Sequence, residues 1–394
     1  MKTVNDSHLM KITPRPDLIM VRGRGSYLWD SLGRRYLDFM QGWAVNALGH
    51  AAPELHAAIT AQAELLVTPS PAFHNAPQLE LAQRLAELTG LDEVHFSNSG
   101  AEANEVAVKL ARKWGKNNKN GAYEVITTHD SFHGRTLAMM AASGKPGWDQ
   151  LFAPLPAGFR KVAYGDFAAL AQAVTPHTVA IMVEPIQGEA GVVVPPAGYL
   201  RALRQLADER HLLVIFDEIQ TGMGRTGTLF AYQHEQVLPD IVTLGKGLGA
   251  GYPISATVAR KHASCFEFGD QGGTFNGGPL GAAVASAAVR IIATDEFLAN
   301  VVAMGCYLQQ RLRQLAKGWV KAHVRGRGLL WAIDLGCNRA EEIRDAALER
   351  GLIVNAARPN VLRMSPSLRV TKTEIDEAVA CLDRCMTDVL AVAS

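Results

Sequence analysis

The chain has 394 residues, more than one hydrophobic core usually serves, so a large and a smaller domain are expected. With 48% hydrophobic and 20% charged residues, its composition is that of a packed soluble protein. Lys and Arg number 39 against 38 Asp and Glu, a balance that excludes a field suited to nucleic acid or an anionic membrane and leaves a small molecule as the expected partner.

Gly25 to Asp38 alternates aromatic and polar residues, and Tyr27-Leu28-Trp29 and Tyr36-Leu37 read as a hairpin turning at Asp30-Ser31-Leu32-Gly33. Gly42 to Asn46 reads as a loop in which Trp43 is core or pocket wall rather than catalyst, and Gly49, His50 and Pro53 precede a helix. Gln78 to Leu88 has helical apolar spacing. Val94-His95-Phe96 is a short strand leading through Ser97-Asn98-Ser99-Gly100 into a helix with Ala103, Val106, Ala107, Leu110, Ala111 and Trp114 on one face. Ser99 and Glu102 form a capping box at its start. Free N–H groups and the helix dipole converge at such an end, so it can bind an anion as well as cap a helix.

Tyr123 to Thr127 is the next buried strand, followed by Asp130-Ser131-Phe132-His133-Gly134-Arg135-Thr136. Here a ring, a glycine and an arginine just past a strand end can offer a face to a planar ligand and a fork to a carboxylate. His129 and His133 lack a clustered third ligand, so no metal is expected. Val179 to Val183 is a strand ending at Glu184-Pro185-Ile186-Gln187-Gly188-Glu189, whose two glutamates are either solvated edge charge or site residues. Leu200 to Arg210 is a crossover helix, and the repeated strand–helix–strand order from Val94 to Val258 predicts a mostly parallel sheet with helices on both faces.

The stretch from Leu212 to Gly251 organises the rest. An apolar run, Leu212 to Phe216, ends in Asp217-Glu218-Ile219-Gln220, and a second, Ile241 to Leu244, delivers Lys246 into a turn of Gly245, Gly247, Gly249 and Gly251. Short apolar runs of this kind read as buried parallel strands, whose carboxyl ends are where open α/β sheets place ligands. An acid and an amine then face one crevice. A carboxylate there can keep a pyridine nitrogen protonated, and an amine can form a Schiff base with an aldehyde, as pyridoxal phosphate requires. The bland alternative is a surface lysine and a strand-end aspartate capping the next helix.

A second glycine-rich loop, Gly272 to Gly278, is closed by Pro279, and an alanine-rich helix starts near Leu280. Gly328 to Leu335 is a strand, Ala340 to Arg350 a helix stopped by Gly351, and Leu352 to Val354 and Val361 to Met364 are strands. Thr371 and Glu374 box-cap a closing helix whose apolar face is Ile375, Val379, Leu382 and Met386. The cysteines, Cys265, Cys306, Cys337, Cys381 and Cys385, are odd in number and widely spread, which fits reduced thiols in the cytoplasm. Met1 to Pro16 lacks the apolar centre of a signal peptide, and no apolar run approaches the ~18 residues of a membrane span.

Taken together, five ordered motifs resemble the class III pyridoxal-phosphate-dependent aminotransferases, most closely the acetylornithine and ornithine branch. They are the Ser97–Glu105 stretch, Phe132–Thr136, Glu184–Glu189, Phe216–Gly227 and the Lys246 loop. The resemblance implies the fold type I α/β architecture: a large cofactor domain over 47–285 and a smaller α/β domain from 1–46 and 286–394. It also implies a cytoplasmic homodimer with shared active sites. By resemblance Lys246 is the Schiff-base lysine, Asp217 holds the pyridine nitrogen and Gln220 reaches the ring hydroxyl. Gly100 and Ala101 offer amides to the phosphate with Ser99 close by, Phe132 and Ile219 sandwich the ring, and Thr274 crosses to the partner's phosphate. Arg135 takes the carboxylate far from the reacting carbon, Arg363 the α-carboxylate of 2-oxoglutarate or glutamate, and Glu189 neutralises Arg363 while an ω-amino donor is bound. Gly273 is expected beside the substrate.

Two departures stand near the substrate mouth. Phe275-Asn276-Gly277-Gly278 reorders the residues usual after the crossing threonine, and Ser365-Pro366-Ser367 replaces a proline pair. The implied reaction moves the ω-amino group of N-acetylornithine to 2-oxoglutarate, in arginine biosynthesis. Ornithine, succinylornithine, 4-aminobutyrate and diaminobutyrate are alternative donors. A decarboxylase or aminomutase would share Lys246 and Asp217 without needing Glu189 and Arg363.

Overall fold

Apolar runs at the middle of the chain become neighbouring strands. Leu213–Asp217 lies between Thr178–Val183 and Ile241–Leu244 and is parallel to both. The structure, a computed structural model, describes residues 6–391. Residues 1–5, which begin the Met1–Pro16 segment, and 392–394, which end the expected C-terminal part, lie outside the described residues.

The central sheet has seven strands in the order Glu93–Ser97, Ser255–Ala259, Ile241–Leu244, Leu213–Asp217, Thr178–Val183, Glu124–Thr128 and Phe159–Val162. Only Ser255–Ala259 runs against its neighbours. The connection from Leu244 to Ser255 is too short for a crossover helix, so the chain turns back beside the strand it has just left. Every residue of the three middle strands is buried. Their side chains alternate between two apolar clusters, Val214, Phe216 and Val242 on one face and Leu213, Ile215 and Ile241 on the other. Burial on both faces is why these strands read as unbroken apolar runs. The Tyr199–Arg210 helix covers the first face with Leu200, Leu203 and Ala207, and the Gly100–Asn118 helix covers the second with Val106, Ala107, Leu110 and Ala111.

Two four-stranded sheets flank this unit. In one, Tyr27–Asp30 and Arg35–Asp38 form the expected hairpin around the Asp30–Gly33 turn, Met20–Arg24 extends it as a further antiparallel strand, and Leu352–Ile353 adds to it in parallel, so chain-terminal segments share a sheet. In the other, His323–Arg327, Leu330–Asp334, Val361–Met364 and Asn355–Arg358 are antiparallel. The closing helix, Lys372–Ala391, carries the Thr371–Glu374 capping box and buries Ile375, Val379, Leu382 and Met386. Among the described residues no single helix is long and apolar enough to cross a membrane.

One local expectation is corrected. Gln41, Gly42, Trp43 and Ala44 have φ of 48°, 60°, 62° and 66°, a left-handed helical turn in place of a loop. L-residues adopt that turn only under restraint. Asp38 supplies it: Oδ1 accepts from the amides of Met40 and Gln41 at 2.9 and 2.8 Å, and Oδ2 meets His50 Nε2 at 2.8 Å. The turn leaves Trp43 47% exposed, so Trp43 is not a core residue. Buried Ser365 and Ser367 explain the Ser-Pro-Ser departure, since their hydroxyls donate to the carbonyls of Met40 and Ala47 and pin this segment.

Close packing yields a first test. Gly115, in the helix over the sheet, lets the Ala122 carbonyl approach so near that a Cβ would lie 2.0 Å from its oxygen. Despite the better helix propensity of alanine, Gly115→Ala should lower stability in urea unfolding by ~2 kcal/mol. An unchanged or raised midpoint would refute this packing.

Candidate active site

A cavity of about 290 Å³ opens where the parallel strands end, lined by residues that follow five of them. This is the crevice position expected of an open α/β sheet. Gly100 and Ala101 follow the first strand, Phe132 and Arg135 the strand Glu124–Thr128, and Glu184 and Glu189 follow Thr178–Val183. Asp217, Ile219 and Gln220 stand at the end of Leu213–Asp217, and Lys246 after Ile241–Leu244.

Asp217 is buried, and three donors hold its carboxylate. Oδ2 accepts from Asn104 Nδ2 at 2.7 Å and from His133 Nδ1 at 2.8 Å, while Oδ1 accepts from the Ile219 amide at 3.0 Å. Asn104 is fixed in turn, because its Oδ1 accepts from Thr243 at 2.7 Å and its Nδ2 also donates to the His133 carbonyl at 2.8 Å. A carboxylate has no proton to give His133, so Nδ1 carries the hydrogen. The resulting chain from Thr243 through Asn104 fixes the place of the Asp217 carboxylate.

Lys246 sits on a 3₁₀ turn with φ of 42°, a strained backbone position that directs it from the strand end into the cavity. Removal from water lowers its ammonium pKa below the ordinary lysine value, and Arg363 adds to that, while Glu189, Asp217 and Glu184 oppose it. Among the described residues no ion pair holds its Nζ. Glu184 is buried against the same wall, where its two oxygens accept from the Phe132 and Gly188 amides at 2.9 and 3.2 Å. Burial pushes its carboxyl up to about 7, with the Asp217 charge adding to the rise and His133 resisting it.

At the opposite end of the cavity the Gly100–Asn118 helix begins. Glu102 takes the amides of Asn98 and Ser99, and Ser99 Oγ takes the amide of Glu102 at 3.3 Å. The amides of Gly100 and Ala101 are left at the cavity wall, an anion cradle at a helix N-terminus. A Cβ at Gly100 would strike Ile219 at 2.9 Å, and one at Gly188 would strike Gln220 Oε1 at 1.5 Å, so a side chain at either wall would displace Ile219 or Gln220 from its place in the cavity. Gln220 Oε1 and His133 Nε2 are buried without a partner.

Beyond the lysine, Arg363 Nη1 donates to Glu189 Oε1 at 2.8 Å and to the Gly188 carbonyl at 2.9 Å, while its Nη2 is buried without a partner. Burial alone would raise the Glu189 carboxyl, but the charges of Arg363 and Lys246 hold it down to about 2. Arg135 lies over the rings of Phe132 and Trp148, 5.9 and 5.3 Å from their centroids.

The cavity thus gathers Gly100, Ala101, Phe132, Arg135, Glu189, Asp217, Ile219, Gln220 and Lys246, with Arg363 one contact away. Ser99, Gly273 and Thr274 lie outside it. The Ser99 hydroxyl is committed to the capping box, and the loop of exposed Thr274 is tied instead to Asn98 and His95 through Asn276. Sequence reasoning did not single out Asn104 or Thr243. The signal for Asn104 was a polar residue on an apolar helix stripe, one turn after Gly100.

The sequence profile of the family described as Aminotransferase class-III matches residues 11–386. The chain is 52% identical to "Acetylornithine aminotransferase 2" of Bordetella pertussis, over 95% of this chain and 96% of that one. Among solved structures it resembles the ornithine aminotransferase of Toxoplasma gondii with a TM-score of 0.93 and 34% identity, covering 98% of this chain and 94% of that one. It also resembles the N-acetylornithine aminotransferase of Stenotrophomonas maltophilia, with a TM-score of 0.85 and 36% identity, covering 98% and 99%.

The buried glutamate gives a pH test. Its carboxyl rises from 4.5 to about 7 on folding, so the folded protein keeps a proton that the unfolded chain releases. That contribution is complete below pH 4.5 and is lost as pH climbs through 7. Glu184→Gln, always neutral, should therefore gain melting temperature relative to the parent, in cofactor-free protein, as pH is raised from about 5 to about 8. A difference independent of pH would contradict the assignment.

Proposed function

The chain belongs to the class-III aminotransferases, and we propose that it moves the ω-amino group of N-acetylornithine to 2-oxoglutarate, yielding glutamate and the semialdehyde. This is a step of arginine biosynthesis. The observation that carries the reading is the Glu189–Arg363 pair with its half-satisfied guanidinium, set beside a cavity that holds both Lys246 and Asp217. A decarboxylase or aminomutase would not need that pair.

Pyridoxal 5′-phosphate is the cofactor. The residues present fit it, since the buried Gln220 oxygen lacks a partner, the helix-end amides suit a phosphate, and Gly100 keeps the wall beside Ile219 clear. In this reading Gly100 and Ala101 bind the phosphate, Phe132 and Ile219 flank the ring, Gln220 meets the ring hydroxyl, Asp217 faces the ring nitrogen, and Lys246 holds the group covalently. When bound, it supplies an electron sink and carries the amino group between donor and acceptor.

The chain's own residues do the rest. Asp217, kept anionic by three donors, stabilises a proton on the facing nitrogen. Lys246, whose burial favours the neutral amine, would take the proton from the amine-bearing carbon and deliver it to the cofactor, so that the amino group can change hands. Arg135 holds the distal carboxylate and the Phe132 and Trp148 rings orient it. During the donor half-reaction Glu189 keeps the buried Arg363 neutralised, which avoids the cost of an isolated interior charge. In the second half the α-carboxylate of 2-oxoglutarate takes the guanidinium, starting from the partnerless Nη2.

The proposal includes a homodimer in which Thr274 serves the partner's phosphate, which fits its exposed position outside its own cavity. Five free thiols fit a cytoplasmic setting.

A panel of ω-amino donors with 2-oxoglutarate tests the assignment, and N-acetylornithine should give the highest kcat/KM. A stronger preference for ornithine, the substrate in the name of the Toxoplasma neighbour, would replace it with that reading. Lys246→Ala should reduce turnover by about 10³-fold or more while leaving the fold intact. In single-turnover assays Arg363→Ala should impair the 2-oxoglutarate half-reaction by about 10²-fold and the donor half far less. Equal losses in both halves would refute the exchange of partners.

A further inference from the structure

Lys145 stands outside the cavity lining, yet its ammonium lies 3.7 Å from Glu189 Oε2, the oxygen that Arg363 leaves free. It is not a loosely solvated lysine. The preceding Gly144 is clamped to the 130–131 segment, accepting from the Asp130 amide at 3.0 Å and donating to the Ser131 carbonyl at 3.1 Å. A Cβ on Gly144 would lie 2.3 Å from the Thr128 carbonyl oxygen, so the backbone is pressed against the strand end. The Lys145 ammonium lies 5.1 and 5.3 Å from the Phe132 and Trp148 ring centroids, within range of both π faces.

The proposed reaction leaves one charge unaccounted for. When the oxo acid takes Arg363, Glu189 loses its guanidinium while remaining largely out of water, and a displaced interior carboxylate needs another cation. Arg358 is engaged by Asp130 at 2.7 Å, and Arg135 stands over the same two rings as Lys145. Lys145 alone already faces the free oxygen and has no other ion-pair partner among the described residues. A closure of less than an ångström would make that contact a direct hydrogen bond.

We infer that Lys145 is a positioning residue that receives Glu189 when 2-oxoglutarate displaces it from Arg363, making the exchange a transfer of one carboxylate between two cations. The inference rests on the reading above that Glu189 and Arg363 separate during turnover. Lys145 acts through Glu189 and selects for the dicarboxylate acceptor without touching it.

The test uses the holoenzyme and follows each half-reaction by cofactor absorbance. Lys145→Gln should raise the half-saturating 2-oxoglutarate concentration by about tenfold and change the donor half-reaction by less than about twofold. Lys145→Arg should restore most of the loss. In a Glu189→Gln background, where no charge needs a host, Lys145→Gln should cost less than about twofold. Additive losses in the double variant would overturn the inference, because they would mean that Lys145 meets the substrate directly. Equal effects on both halves would also overturn it. Should Lys145→Gln melt early, Lys145→Met keeps the apolar stem and is held to the same criteria. Arg363→Ala run alongside separates the two claims: if it is asymmetric and Lys145→Gln is not, only the role of Lys145 falls; if Arg363→Ala is symmetric, the reading beneath it falls.

Discussion

Everything at the site depends on one carboxylate kept charged inside the protein. Asp217 lies at the end of a strand with apolar clusters on both faces, where an isolated anion would cost several kcal/mol. Three hydrogen bonds to a charged acceptor contribute ~1.5–3 kcal/mol each, enough to offset that cost. Two donors converge on Oδ2 and leave the cavity side of the residue to a ligand. The arrangement is inherited from the sheet. Thr243 and Asp217 are register partners on adjacent strands, so Thr243 can reach the Asn104 that holds Asp217.

On the proposed function the far side of the cavity answers a different demand, accepting two substrates of unlike charge in turn. Lys145, Arg135, Arg358 and Arg363 converge there, and Glu189 is the carboxylate placed among them. In the function proposed above, such a mouth attracts a dicarboxylate through its excess of positive charge, while the glutamate keeps that excess from penalising a donor whose reacting end carries no carboxylate. Fixed chemistry lies at the strand ends and adjustable charge at the rim. The left-handed turn at 41–44, pinned by Asp38 and by the Ser365 hydroxyl, shows strained backbone held by buried polar contacts in the same way.

Much of this was legible in the sequence because the physics was local. Leu212–Phe216 and Ile241–Leu244 announced themselves as buried strands, and the Ser99–Glu102 capping box marked a helix start, all within a few residues. The reversal at Ser255–Ala259 was not read, since only the length of the preceding connection signals it. His323–Arg327 and Asn355–Arg358 escape the sequence reading because neither HVRGR nor NAAR carries an apolar alternation. The site residues that escaped, Asn104, Thr243 and Lys145, act across 44 to 139 positions of chain and have no local pattern. His133 was weighed only as a metal ligand, whereas its partner is a carboxylate 84 residues away. Of the two places the sequence suggests for Trp43, core or pocket wall, the left-handed turn removes the core.

The central claim is that Asp217 keeps a proton on the nitrogen of the bound ring. Nitrogen-15 NMR of the holoenzyme carrying cofactor labelled at that atom tests it most directly. The account predicts a protonated-ring chemical shift in the parent across the working pH range, and its loss in Asp217→Asn. An unprotonated signal in the parent, or one indifferent to the substitution, would contradict it.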